Sequence, residues 1–108
     1  MDYLTDLIDE IKVIQGVKSL VITDDSGTPM DFPGVEEDDE SAAVTAFVGN
    51  GINSLADKLD LDDFKSMSMA YEGGSMIVCP IGELYVGIML SVTRNLFKIE
   101  SKINDILG

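Results

Sequence analysis

Residues 73–93, GGSMIVCPIGELYVGIMLSVT, are nearly uninterrupted apolar sequence in which Glu83 is the one charge. The stretch has 21 residues, close to the length of a membrane span. Three turn signals argue against a span: Gly73-Gly74, Pro80 and Gly82-Glu83. The last of these separates two runs of strand length, MIVCPI and LYVGIMLSV, so the stretch reads as a β-hairpin. Both runs are apolar at successive positions rather than alternate ones. That pattern predicts a sheet covered on both faces.

The flanking sequence supplies the cover. Upstream, residues 64–71 alternate as Phe, Lys, Ser, Met, Ser, Met, Ala, Tyr, a period of two that predicts a strand. Downstream, Leu96, Ile99, Ile103 and Ile106 recur at helical spacing and place a final helix over 94–107. Toward the N-terminus, Val44, Phe47, Val48, Ile52, Leu55 and Leu59 mark a long helix ending near Asp60. Before it, VKSLVIT at 17–23, the turn residues Asp24-Asp25-Ser26-Gly27 and then TPMDF predict a first hairpin. Leu4, Leu7, Ile8, Ile11 and Ile14, with Gly16 in the place of a C-terminal cap, predict the opening helix. The order is αββαβββα. No repeat, low-complexity stretch or linker divides it, and residues 1–108 are read as one domain.

Charge narrows the function. Twenty Asp/Glu against seven Lys/Arg give a net charge of −13, and there is no histidine. A phosphate-neutralising surface needs clustered Lys and Arg, so nucleic acid is not expected as a partner, and anionic membranes are disfavoured for the same reason. Without histidine there is no Ser-His-Asp or Cys-His nucleophile system and no His-containing zinc site. Neither catalytic residue nor metal ligand nor cofactor is expected. At 45% hydrophobic residues the chain is too apolar to be a disordered acidic tail. The lone Cys79 allows no internal disulfide, and the acidic N-terminus does not resemble a secretory signal, so a cytoplasmic location is expected.

Residues 1–63 hold 16 acids and 3 bases, whereas residues 64–108 hold 4 of each. Glu36-Glu37-Asp38-Asp39-Glu40 lacks the alternating oxygen ligands and central glycine of an EF-hand. It is read as a solvated run favoured by the N-terminal end of the helix it precedes. Asp24-Asp25 is a turn, and Cys79 an inert thiol in an apolar strand. Arg94, the single arginine, begins a helix and is read as solvated.

Two features point to a partner chain. On a helical wheel Val44, Val48, Leu55 and Leu59 fall on one side of the long helix, while Ala42, Ala46, Gly49 and Asn53 fall opposite, where water is expected. That second side is small and uncharged, and Gly49 and Gly51 each cost about 1 kcal/mol in a helix interior. Close approach of a second helix, most simply a symmetric copy, would use it, although an indifferent surface remains the alternative. The strand at 64–71 sets Met67, Met69 and Tyr71 on one side. Either it is a sheet edge open to another chain, or these methionines pack under a helix.

The whole order, with Gly16-Val17 leading into SLVITDDSGTPM, the Ala-rich ESAAVTAFV and the closing EGGSMIVCPIGELYVGIML, resembles the roadblock/dynein light chain family. The helix after the last strand is similar to its bacterial and archaeal, MglB-type branch. The resemblance implies an α+β, roadblock-like αββαβββα three-layer sandwich. Its five-stranded antiparallel sheet would carry the second helix on one face and the first and third on the other. It also implies a homodimer joined through the second helix and third strand, binding a Ras-like small GTPase as a non-enzymatic regulator or scaffold, with GTPase activation in some members. A light-chain or scaffold subunit that binds a peptide or adaptor protein is the alternative the family offers.

Overall fold

The structure is a computed structural model that describes residues 2–60, 66–71, 74–91 and 96–107. Phe64, Lys65, Glu72, Gly73 and Arg94, which figure in the reading above, lie outside the described residues. The order is α1 (Asp2–Lys12), β1 (Val17–Thr23), α2 (Asp39–Leu59), β2 (Met67–Tyr71), β3 (Gly74–Ile81), β4 (Leu84–Leu90) and α3 (Leu96–Leu107). The strands form one antiparallel sheet in the order β1-β4-β3-β2.

The apolar stretch does form the centre of the sheet. Ile81 pairs with Leu84 across a two-residue loop whose first residue, Gly82, has φ +62°. A tight hairpin that follows the natural strand twist needs such a left-handed residue, which glycine adopts without a steric penalty. Successive side chains of β3 then enter different clusters. Ile77 and Cys79, with Val86, Ile88 and Leu90 of β4 and Leu20 and Ile22 of β1, pack against Leu4, Ile8 and Ile11 of α1 and Ile99 and Ile103 of α3. Met76 and Val78, with Tyr85, pack against Ala46 and Ile52 of α2. Neighbouring residues point to opposite sides of a pleated strand, which is why the two central strands carry no polar alternation.

The sheet has four strands, not the five expected: TPMDF does not form one. The hairpin begins normally, with a bridge between Thr23 and Pro29 and a 2.8 Å bond from the Met30 N–H to the Ile22 carbonyl. Continued in that register, Phe32 would face Leu20. Instead the Val35 N–H bonds back to Phe32, and the Glu36 N–H reaches the Leu20 carbonyl at 2.9 Å. Pro29 and Pro33 have no N–H for a ladder, and Gly34 at φ +81° turns the chain away. Met30, Phe32 and Val35 instead pack as a strap against the α1–α3 cluster.

Both ends of α2 are closed by acids. Asp38, the N-cap, accepts hydrogen bonds from the Ser41 hydroxyl and, at 3.2 Å, from the Ser41 N–H. Asp60 ends the helix at φ 56°, its N–H directed to the Ala56 and Asp57 carbonyls. The Ser41 hydroxyl first, then its N–H, hold the Asp38 carboxyl below its ordinary 3.8. A carboxyl depressed in the folded state stabilises the fold above its unfolded pKa, and that contribution disappears as pH falls through the lower folded value. Thermal melts of Asp38→Asn are therefore expected to lie below wild type near neutrality and to converge with it in acid. A difference that stays constant from neutral pH to about pH 2 would contradict this assignment.

Among the described residues no helix is long and apolar enough to cross a membrane, and no group of three potential metal ligands converges.

Candidate partner interface

Helix α2 faces the opposite way from the wheel-based expectation. Ala42 (0% exposed), Ala46 (4%) and Ile52 (0%) are buried, together with Thr45 and Gly49. Val44, Leu55 and Leu59 are exposed, and Phe47 is 80% exposed. The reason lies in the sheet beneath. A Cβ on Gly49 would lie 2.6 Å from the Tyr85 ring, and one on Gly87 would collide with Thr45. Helix and sheet interlock: Tyr85 of the sheet fills the space over Gly49 of the helix, and Thr45 of the helix that over Gly87 of the sheet, so the small face is the one that fits the chain's own core.

A polar clamp fixes this orientation. The Tyr85 hydroxyl donates to Asn50 Oδ1 at 2.8 Å and accepts from Asn53 Nδ2 at 2.8 Å. Asn50 Nδ2 also donates to the Asp25 carbonyl at 3.0 Å, tying α2 to the turn after β1. Asn53 is thus exposed yet already engaged with Tyr85. The turn is itself held by Asp24, whose carboxylate accepts from Ser26 and Thr28. The Ser26 hydroxyl is the main reason that carboxyl lies below its ordinary range.

Beneath the clamp, the Thr45 hydroxyl is buried with no hydrogen-bond partner. A buried orphan hydroxyl costs about 1–3 kcal/mol, so Thr45→Val is expected to raise the melting temperature, read by calorimetry. A lower value would show that the hydroxyl contributes something its geometry does not reveal.

Among the residues α2 exposes, Val44, Phe47 and Leu55 are apolar, with Gly51 among them and Asn50, Asn53 and Ser54 beside them, while Val48 is half-buried against the inner cluster. A Cβ added at Gly51 would meet nothing within 4 Å, so unlike Gly49 this glycine has no reason inside the chain. β2 lies at one end of the sheet, and its Met67 and Met69 pair with Val78 and Met76. Paired residues share a face of the sheet, so these methionines border α2. Met67 is half-buried against the α2 cluster and Met69 is exposed, combining the two readings of this strand; the Tyr71 side chain lies outside the described residues.

Tyr85, Asn50 and Gly87 were not singled out in the sequence. Gly87 alone left a trace there, as a glycine interrupting an apolar strand, which signals close approach of another backbone or side chain. Cys79 is buried, and desolvation, with a smaller effect from Glu100, pushes its thiol up to about 12. That is an inert thiol, as its apolar strand predicted.

No family model matches the sequence, and no curated protein sequence does. Solved structures do match. A roadblock/LC7 domain from Streptomyces avermitilis superposes with a TM-score of 0.69 at 12% identity, covering 94% of this chain and 89% of that one. Myxococcus xanthus MglB gives 0.64 at 13% identity, covering 98% and 85%. The gliding protein MglB of Thermus thermophilus gives 0.66 at 16% identity, covering 98% and 86%. At such identities the likeness is one of fold, and it extends over nearly the whole chain: the polypeptide has the fold of the roadblock/LC7 domains, MglB proteins among them.

Proposed function

We propose that residues 1–108 form one three-layer roadblock-like domain that works in the cytoplasm as a dimeric, non-enzymatic regulator or scaffold of a Ras-like small GTPase. It neither inserts into membranes nor binds nucleic acid. The observation that carries the proposal is the apolar outer face of α2 beside the β2 edge, on a fold shared with MglB proteins.

Two copies of α2 pair about a symmetry axis in this reading, with Gly51 at the crossing. Its neighbours one turn away are Phe47 and Leu55, and a glycine there lets two backbones approach. Met67, Met69 and Tyr71 stay in the proposed interface. Val44, Phe47, Gly51 and Leu55 replace Ala42, Ala46, Gly49 and Asn53, the helix residues expected there: the first three are buried beneath the helix and Asn53 is held by Tyr85. Exposed apolar residues grouped in this way are a surface that a partner covers, because scattered ones would need no such explanation.

The test is retention of a Ras-like GTPase from the same source, loaded with GDP or with a GTP analogue, on the immobilised protein. A regulator discriminates nucleotide state, so one form is expected to be retained at least about tenfold better. Phosphate release then shows whether hydrolysis is stimulated. Equal retention of both forms removes the regulatory reading and leaves a scaffold; retention of neither removes the GTPase as partner.

A further inference from the structure

Residues 1–63 contain three bases, Lys12, Lys18 and Lys58, and two of them line one cavity of about 240 Å³. It lies between the end of α1, the start of β1 and the strap, with Val17, Ser19 and Leu20 also lining it. Lys12 is brought there by the C-terminal turn of α1, and Lys18 by the register irregularity between Val17 and Ser19 in β1.

The strap shapes the site. Because the chain turns at Pro33-Gly34 instead of pairing onward along β1, Gly34 and Glu36 close the cavity's third side. A Cβ on Gly34 would lie 2.7 Å from Lys12 Nζ, so the bare glycine leaves room for that ammonium at the cavity's edge. In a chain of net charge −13, a lysine would be expected to find a carboxylate. Among the described residues neither Lys12 nor Lys18 forms an ion pair, and Glu36, on the same rim, reaches neither of them.

We infer that this cavity binds a small molecule through an oxyanion, a carboxylate or a phosphate, held on the side lined by Lys12 and Lys18. Two lysine ammonium groups on one cavity supply charge-assisted donors to such an anion. The size limits the ligand. Pockets for drug-sized ligands begin near about 300 Å³, so the cavity fits an organic acid of a few carbons or a simple phosphate and is too small for a nucleotide. The inference is independent of the dimer and of the GTPase, since the cavity uses neither the outer face of α2 nor β2.

Backbone amide NMR with the intact protein tests it, using inorganic phosphate in one titration and succinate in another, at constant ionic strength set with chloride. Saturable shifts at Lys18, Ser19 and Gly34 are expected for at least one anion. A Lys12→Gln/Lys18→Gln variant, altered only at exposed side chains, should bind at least about tenfold more weakly. Saturation by phosphate alone assigns a phosphate ligand, by succinate alone a carboxylate, and by both a general oxyanion site. Linear shifts with both anions, or unchanged affinity in the double variant, would overturn the inference.

Discussion

If two copies pair through α2 as proposed, Gly51→Leu is expected to turn that dimer into a monomer without lowering the stability of the fold. A side chain at this position meets nothing within the chain. Replacing a mid-helix glycine by a good helix former contributes about 1 kcal/mol to the isolated domain. At the proposed helix crossing the same side chain forces two backbones apart, and overpacking a close contact costs about 1–3 kcal/mol at each of two symmetric positions. Light scattering across a dilution series should show the dimer weakened about a hundredfold or more, while circular dichroism shows an unchanged spectrum. A Gly51→Leu protein that dimerises as well as wild type would remove Gly51 from the interface. Phe47→Glu gives an independent reading, because it places a charge in the centre of the same face and leaves Gly51 alone.

The same substitution two residues earlier is expected to do the reverse. Gly49→Leu puts a Cβ 2.6 Å from ring carbons of Tyr85, and the ring cannot swing aside while Asn50 and Asn53 hold its hydroxyl. The helix would have to lift from the sheet, opening the cluster of Ala46, Ile52, Met76 and Val78. A loss of at least about 3 kcal/mol is expected, more than the helix-propensity gain returns. For a domain near this size that lowers the melting temperature by at least about 12 °C. A Gly49→Leu protein that melts with wild type would mean that α2 does not sit on Tyr85 as described. Taken together, the two glycines separate folding from association within one helix.

How far residues alone lead is visible in these elements. The β3–β4 hairpin was legible because Gly82-Glu83 is turn chemistry between two strand-length apolar runs. The ends of α2 were legible because an acid run precedes its apolar periodicity and Asp60 closes it. The facing of α2 was not legible. Ile52 and Phe47 lie roughly 140° apart at about 100° per residue, so apolar side chains run most of the way round and no single stripe dominates. Size, not hydrophobicity, decides which side meets the sheet, and the deciding residue, Tyr85, lies outside the helix. The strand expected over TPMDF failed for a comparable reason. Its turn chemistry started a hairpin, but Pro33-Gly34 inserted a bend that carries Glu36 into the place of Phe32. The proposed interface inherits both lessons: its strand residues were found from alternation, and its helix residues only once the core had claimed the small ones.

The strap also governs how the sheet can grow. At the β1 end, the carbonyls of Ile22 and Leu20 already accept from Met30 and Glu36. At the other end, no strand follows β2 among the described residues. A sheet open at both ends can add copies without limit and become a ribbon; one blocked at one end and joined at the other stops at two. The Pro33-Gly34 bend that ends the fifth strand thereby acts as a terminator: in the proposed dimer it would confine edge-to-edge assembly to a closed pair and withhold the template on which fibrils extend.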